Sequence, residues 1–192
     1  MKRLFVLFLI LSASPVFANP ADTLRVYTWE EALKADPAVV HAITLTKMKL
    51  QVVPAELQKF RNLRKLDLSK NKLAEIPSFI NEFADLQELN LHRNKLINFP
   101  TEICAMKNLE RLMVSGNEFS SIPECVQYLK KLSYIDLSDT PVTNFPEAFT
   151  LMPQLKTLSL HGLAYPPSFQ RRWRDRLPWM RIEFDAPCDC ME

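Results

Sequence analysis

The stretch Leu63-Arg64-Lys65-Leu66-Asp67-Leu68-Ser69-Lys70-Asn71-Lys72-Leu73 returns 23 residues later as Leu86-Gln87-Glu88-Leu89-Asn90-Leu91-His92-Arg93-Asn94-Lys95-Leu96. Both follow L-x-x-L-x-L-x-x-N-x-L. A third copy keeps Leu109, Leu112, Val114, Asn117 and Phe119. A fourth keeps Leu132, Ile135, Leu137 and Val142, with Thr140 in the asparagine column. An earlier copy runs from Val40 through Ile43 and Leu45 to Leu50, with Met48 in that column. A truncated last copy shows Leu155, Leu158 and Leu160 and loses the pattern at Gly162 and Leu163. Pro54, Pro77, Pro100, Pro123 and Pro146 keep the same step.

The pattern has a physical reading. Leu66 and Leu68, two apart, fall on one side of a short strand, and Lys65, Asp67 and Ser69 fall on the other. No single copy can bury its leucines, so copies must stack to share one core. The asparagine is expected to satisfy backbone groups that the bend leaves unpaired. Ile76-Pro77 and its equivalents open the return segment, where proline suits an extended backbone outside a ladder. Phe79, Ile80 and Phe83, or Ile103 and Met106, then pack the far side. With two glycines in the chain, the turns are expected to rely on asparagine and proline.

On these residues the chain resembles the leucine-rich repeat family, in its 23-residue bacterial form with Ile-Pro or Phe-Pro in each second half. The resemblance implies an α/β solenoid: right-handed, a curved parallel sheet on the concave face, short helical or 3-10 segments on the convex face, and helical caps. It divides the chain into a signal peptide (1–18), an N-terminal cap (19–39), five full repeats and a partial one (40–165), and a C-terminal cap and tail (166–192). Residues 166–192 are too few for the ubiquitin-ligase domain that some exported relatives carry, so the resemblance implies the repeat module alone.

The two ends carry their own signals. Lys2 and Arg3, the apolar run Leu4 to Leu11 and the small residues before Asn19 describe a secretory signal peptide cut after Ala18. Export places the protein in the periplasm or outside the cell, and that run is too short to span a bilayer as a helix. The 24 basic and 22 acidic side chains become equal once Lys2 and Arg3 are removed, because residues 1–18 hold no acid. The slight basic excess therefore gives no case for a nucleic-acid partner. Thr28-x-x-Glu31 opens a short helix through Trp29, Ala32 and Leu33 that Asp36-Pro37 stops. Phe169, Trp173 and Leu177 mark one apolar stripe on a second helix, with a short strand from Trp179 to Phe184 after it.

No converging catalytic group is legible. No Gly-rich phosphate loop, paired metal-ligand histidines or nucleophile elbow occurs, so no catalytic residue, metal or cofactor is expected and the chain is not read as an enzyme. His92 and His161 share a column three strands apart, and His41 lies in another. A hydrolase would have to combine His92 with Ser69 or Ser115 and Asp67, or His161 with Ser138, Asp136 and Asp139. It ranks last, because an open sheet offers no oxyanion hole. The leading reading is a monomer that binds another protein through the concave face, at Lys65, Asp67, Asn90, Arg93, Arg111, Met113, Tyr134 and Asp136. The alternative is polyanion or cell-surface attachment through Arg171, Arg172, Arg174, Arg176 and Arg181. Among four cysteines, Cys104 and Cys125 are the candidate disulfide: they lie on adjacent coils, although their two-residue offset strains toward the ~7 Å Cα limit. Cys188-x-Cys190 is left unassigned.

Overall fold

The computed structural model describes residues 24–185, so the expected signal peptide and the Cys188/Cys190 pair lie outside the described residues. Eight short strands follow one another: β1 (Tyr27–Thr28), β2 (Ala42–Thr44), β3 (Lys65–Asp67), β4 (Glu88–Asn90), β5 (Arg111–Met113), β6 (Tyr134–Asp136), β7 (Thr157–Leu160) and β8 (Arg181–Phe184). They form one parallel sheet in sequence order. Six 3-10 segments and two helices, α1 (Trp29–Lys34) and α2 (Pro167–Arg176), connect them. Both ends of the sheet are closed by cap residues: β1 and β8 extend the six strands of the repeats.

Pairing is in register throughout. Leu66 faces Leu89, Leu89 faces Leu112, Leu112 faces Ile135, and Ile135 faces Leu158. Each of these central strand residues is buried, as are Leu68, Leu91, Val114, Leu137 and Leu160 two positions on. The opposite wall comes from the five 3-10 segments after the first, each entered after a proline and each burying at least one apolar residue, such as Ile80 (Ser78–Glu82) or Ile103 (Thr101–Ala105). Burial of these side chains stabilises each coil by roughly 1.5–3 kcal/mol apiece, and only where neighbouring coils complete the enclosure.

The asparagines act as the spacing requires. Asn94 Nδ2 donates to Leu68 O (3.1 Å) and Leu91 O (3.0 Å), while its Oδ1 accepts from Leu73 N (3.1 Å). Asn71 and Asn117 repeat this arrangement one coil to either side. Thr140 substitutes a single hydroxyl, which reaches Val114 O (3.3 Å).

Glycine-poor turns are built differently from the expectation. The residue before each asparagine column takes a left-handed backbone: Lys47, Lys70, Arg93 and Asp139 have φ of 59, 57, 53 and 53°, and Gly116 and Gly162 fill the same column. Asparagine and proline do not make this bend; lysine, arginine and aspartate do, in a conformation that L-residues adopt at some cost. At Gly116 a Cβ would also meet Arg93 Cγ at 3.0 Å, so a side chain there would have to displace that arginine by a few tenths of an ångström.

The caps follow from their sequences. Thr28 and Glu31 form the reciprocal pair at the start of α1, the Thr28 side chain accepting from Glu31 N and Glu31 accepting from Thr28 N. Ala32 is buried and Trp29 packs edge-on against Phe60, but Leu33 is exposed. Six residues make under two turns, and Leu33 lies off the one narrow face that meets the coils. At the other end Trp173 and Leu177 are buried, with Phe145, Tyr165 and Phe169 packed around the Trp173 side of α2.

Candidate functional site

The solvent face of the sheet carries two columns of exposed or half-buried side chains, from the first and third residue of each of β3 to β6. The first column forms a run of contacts across four coils. Lys65 Nζ lies 3.4 Å from Glu88 Oε2, Arg111 Nε lies 3.9 Å from the same carboxylate, and the Arg111 guanidinium sits 4.2 Å above the Tyr134 ring. Glu88, the acid that links both cations, was absent from the expected set; its place between Lys65 and Arg111 in the column is the signal that names it. Burial, then Asp136, pushes the Tyr134 hydroxyl above the ordinary tyrosine range, while Arg111 opposes this.

The third-residue column has a structural task that sequence reading missed. Asp67 Oδ1 accepts from Ser69 N (2.8 Å), Asn90 Oδ1 from His92 N (3.0 Å), and Asp136 Oδ1 from Ser138 N (3.0 Å). Each side chain closes the turn two residues after itself, a habit of Asp and Asn at strand ends. Met113 is the apolar exception, half-buried on the same column. Arg93 stands apart from both columns, because it occupies the left-handed bend beyond β4. Ser69, expected on the solvent side, is buried, its hydroxyl 3.0 Å from Thr46 Oγ1 on the next coil.

The histidines meet serines in an order unsuited to catalysis. His92 Nδ1 lies 2.7 Å from Ser115 Oγ, and Ser115 Oγ donates to Asp136 Oδ2 at 2.7 Å. The serine proton therefore points at the carboxylate, and His92 is the donor to the serine. A nucleophilic serine needs the reverse, with its proton directed at the imidazole. Ser115 is also buried, and Asp67 belongs to a different turn. Burial, then Arg93, holds the His92 imidazole below its ordinary value. His161 pairs with Asp185 (Nδ1 to Oδ1, 2.9 Å) rather than with Asp136 or Asp139, and meets Ser138 only through its backbone N–H. His41 Nδ1 lies 3.0 Å from Asn62 O. Among the described residues no group of three His, Cys, Asp or Glu side chains is placed to hold a metal ion.

The arginines of the C-terminal cap are largely engaged. Arg176 makes a two-pronged pair with Glu147, Arg181 Nε lies 3.0 Å from Glu183, and Arg174 stacks 5.1 Å from the Phe184 ring. Arg171 and Arg172 are exposed without an ion pair among the described residues. On the far side Cys104 and Cys125 form a disulfide, with Cα atoms 5.7 Å apart, so the two-residue offset is accommodated.

Comparison with known proteins agrees with this architecture. The leucine-rich repeat family matches over residues 61–119 and again over 84–142. A leucine-rich repeat protein of Leptospira interrogans has a similar solved structure, at 28% identity and a TM-score of 0.62. That match covers 77% of this chain and 38% of the other, so this chain spans well under half of its relative's length. No curated protein matches the sequence. Residues 61–142 match the leucine-rich repeat family, and the stacked coils with their parallel sheet are a leucine-rich repeat solenoid. Such repeats are typically non-enzymatic scaffolds for protein interaction.

Proposed function

We propose that this is an exported leucine-rich repeat protein that binds another protein through the solvent face of its sheet, the concave side in solenoids of this kind. The observation that carries the reading is the Lys65–Glu88–Arg111–Tyr134 run with Met113 beside it. A guanidinium stacked on a tyrosine is already ordered, so a partner covering it loses little side-chain freedom on binding. Arginine and tyrosine are also the side chains that most often dominate binding energy. Asp67, Asn90 and Asp136 contribute as rigid rather than adaptable contacts: Asp67 has one oxygen committed to its own turn, Asn90 has its only oxygen committed and presents its amide N–H groups, and Asp136 has both oxygens engaged.

Export rests on the N-terminal sequence and fits the Cys104–Cys125 disulfide, a bond that persists in oxidising compartments. The binding reading is tested by capture of partners from envelope and extracellular fractions, with wild type compared against R111A/M113A/Y134A. Loss of a captured partner with retained fold supports the sheet face. Equal capture by both proteins would place the interface elsewhere. Export is tested by mass spectrometry of the protein recovered outside the cytoplasm, where a mature N-terminus at Asn19 is expected and an intact Met1 argues against it.

A further inference from the structure

The loop flank between the sheet and the 3-10 segments is asymmetric along the solenoid. In the first three coils it displays Lys47, Lys49, Lys70, Lys72, Arg93 and Lys95, all exposed. Backbone bonds carry the sheet ladder into these loops: Lys47 N donates to Ser69 O (3.1 Å), Lys70 N to His92 O (2.7 Å), Lys72 N to Leu50 O (2.8 Å) and Lys95 N to Leu73 O (2.9 Å). The six cations therefore form two fixed columns of three, about 4.8 Å apart from coil to coil. In the next two coils the same positions hold Gly116, Glu118, Asp139 and Pro141. Of the six, only Lys95 is paired with a carboxylate among the described residues, at 2.9 Å from Glu118.

Two further observations point to a ligand. Gly116 and Gly162 show that glycine fits the left-handed position, yet Lys47, Lys70 and Arg93 hold it with side chains that disfavour that backbone. The same flank also exposes large apolar side chains. Met48, Val52 and Ile97 are 42%, 70% and 62% exposed, three of the eight exposed large hydrophobic residues among the described ones. At the positions of Val52 and Ile97, the next two coils carry Ser120, Ser121, Thr143 and Asn144. Two acids, Glu75 and Glu102, line the same hollow as Ile97.

Cations interleaved with protruding apolar side chains on one flat edge match the chemistry of an anionic lipid surface, where bases meet headgroups and apolar groups enter the acyl boundary. A sulfated polysaccharide would use the cations and leave Met48, Val52 and Ile97 without a role. A single-stranded nucleic acid would want stacking aromatics, and none of the flank residues named here is aromatic. From this we infer that the loop flank of the first three coils docks the protein on an anionic membrane surface, leaving the sheet face open to a partner.

The test is co-sedimentation of the purified protein with vesicles of phosphatidylcholine and phosphatidylglycerol (about 3:1) at physiological salt, against phosphatidylcholine alone. Lys47→Asn, Lys70→Asn and Arg93→Asn together remove charge while keeping a residue that tolerates the left-handed turn. With each base near the surface worth roughly fivefold in partition, this variant should bind the anionic vesicles at least tenfold more weakly. Met48→Ser, Val52→Ser and Ile97→Ser together should also weaken vesicle binding and leave retention on a heparin column unchanged. R171E/R172E should bind as wild type does. Any binding through Leu4–Leu11 is common to all variants and cancels. Undiminished vesicle binding by the triple Asn variant, with fold confirmed by circular dichroism, would overturn the inference. So would serine variants that bind vesicles normally alongside tight heparin retention, which would assign the flank to a polysaccharide.

Discussion

The imidazole of His92 and the hydroxyl of Ser115, 23 residues apart in sequence, meet at 2.7 Å across neighbouring coils. Because Ser115 donates onward to Asp136, His92 carries its proton on Nδ1 in the neutral form, and Nε2 takes up the second.

That arrangement predicts a pH dependence. Burial first, then Arg93 and Lys70, lower the affinity of His92 for a second proton, with Asp136 and Asp139 opposing. The unfolded chain therefore binds this proton at higher pH than the folded one. The group's contribution to stability is complete above about pH 6.5 and falls as pH drops from there through the lower folded value. Urea midpoints at pH 7.5 and pH 5 should differ less for H92Q than for wild type. An equal difference would show that His92 does not titrate as described.

Asn94→Ala should cost about 2–3 kcal/mol, because it strands Leu73 N inside the stack and takes one of two amide donors from Leu68 O and Leu91 O, which keep Asn71 and Asn117. Thr140→Ala removes one hydroxyl, which donates to Val114 O and accepts from Asn117 N only at 3.4 Å, and should cost less, about 1 kcal/mol. Denaturant titration of the two variants checks both the size and the order.

Removing the Cys104–Cys125 bond by C104A/C125A should lower stability by about 3 kcal/mol, the loop-entropy value for a loop of this size. Wild type melted with and without reductant should show the same difference, and the double variant should be insensitive to reductant.

Trp173 supplies the centre of the C-terminal lid, and its indole N–H finds no acceptor among the described residues. Trp173→Ala should cost about 3–5 kcal/mol. Trp173→Phe loses ring volume but also removes the unpaired donor, so it should cost less than about 1.5 kcal/mol. A Phe variant as damaged as the Ala variant would mean that the N–H is satisfied.

The stacked coils were legible because a 23-residue period fixes which leucines share a wall, and burial of Leu66, Leu89 and Leu112 follows from that alone. The site was less so. Asp67, Asn90 and Asp136 read as free polar contacts in sequence, yet each precedes by two residues the amide it caps, a pattern visible once the strand ends are known. The left-handed column was hidden by Lys47, Lys70 and Arg93, residues that do not advertise such a backbone. Gly116 and Gly162, in the same column, carried that signal. β1 pairs through two residues only, too short for any periodicity to reveal.

Every strand of the repeats pairs without a register shift, so adjacency on this molecule reduces to arithmetic: a side chain's lateral neighbours are those one period before and after it. A lattice of this kind grows or shrinks by whole coils while the remaining ones keep their packing. The extent of surface offered to a partner and the chemistry displayed on it are therefore separable quantities. Duplication of one unit changes the first, and substitution at a single column changes the second.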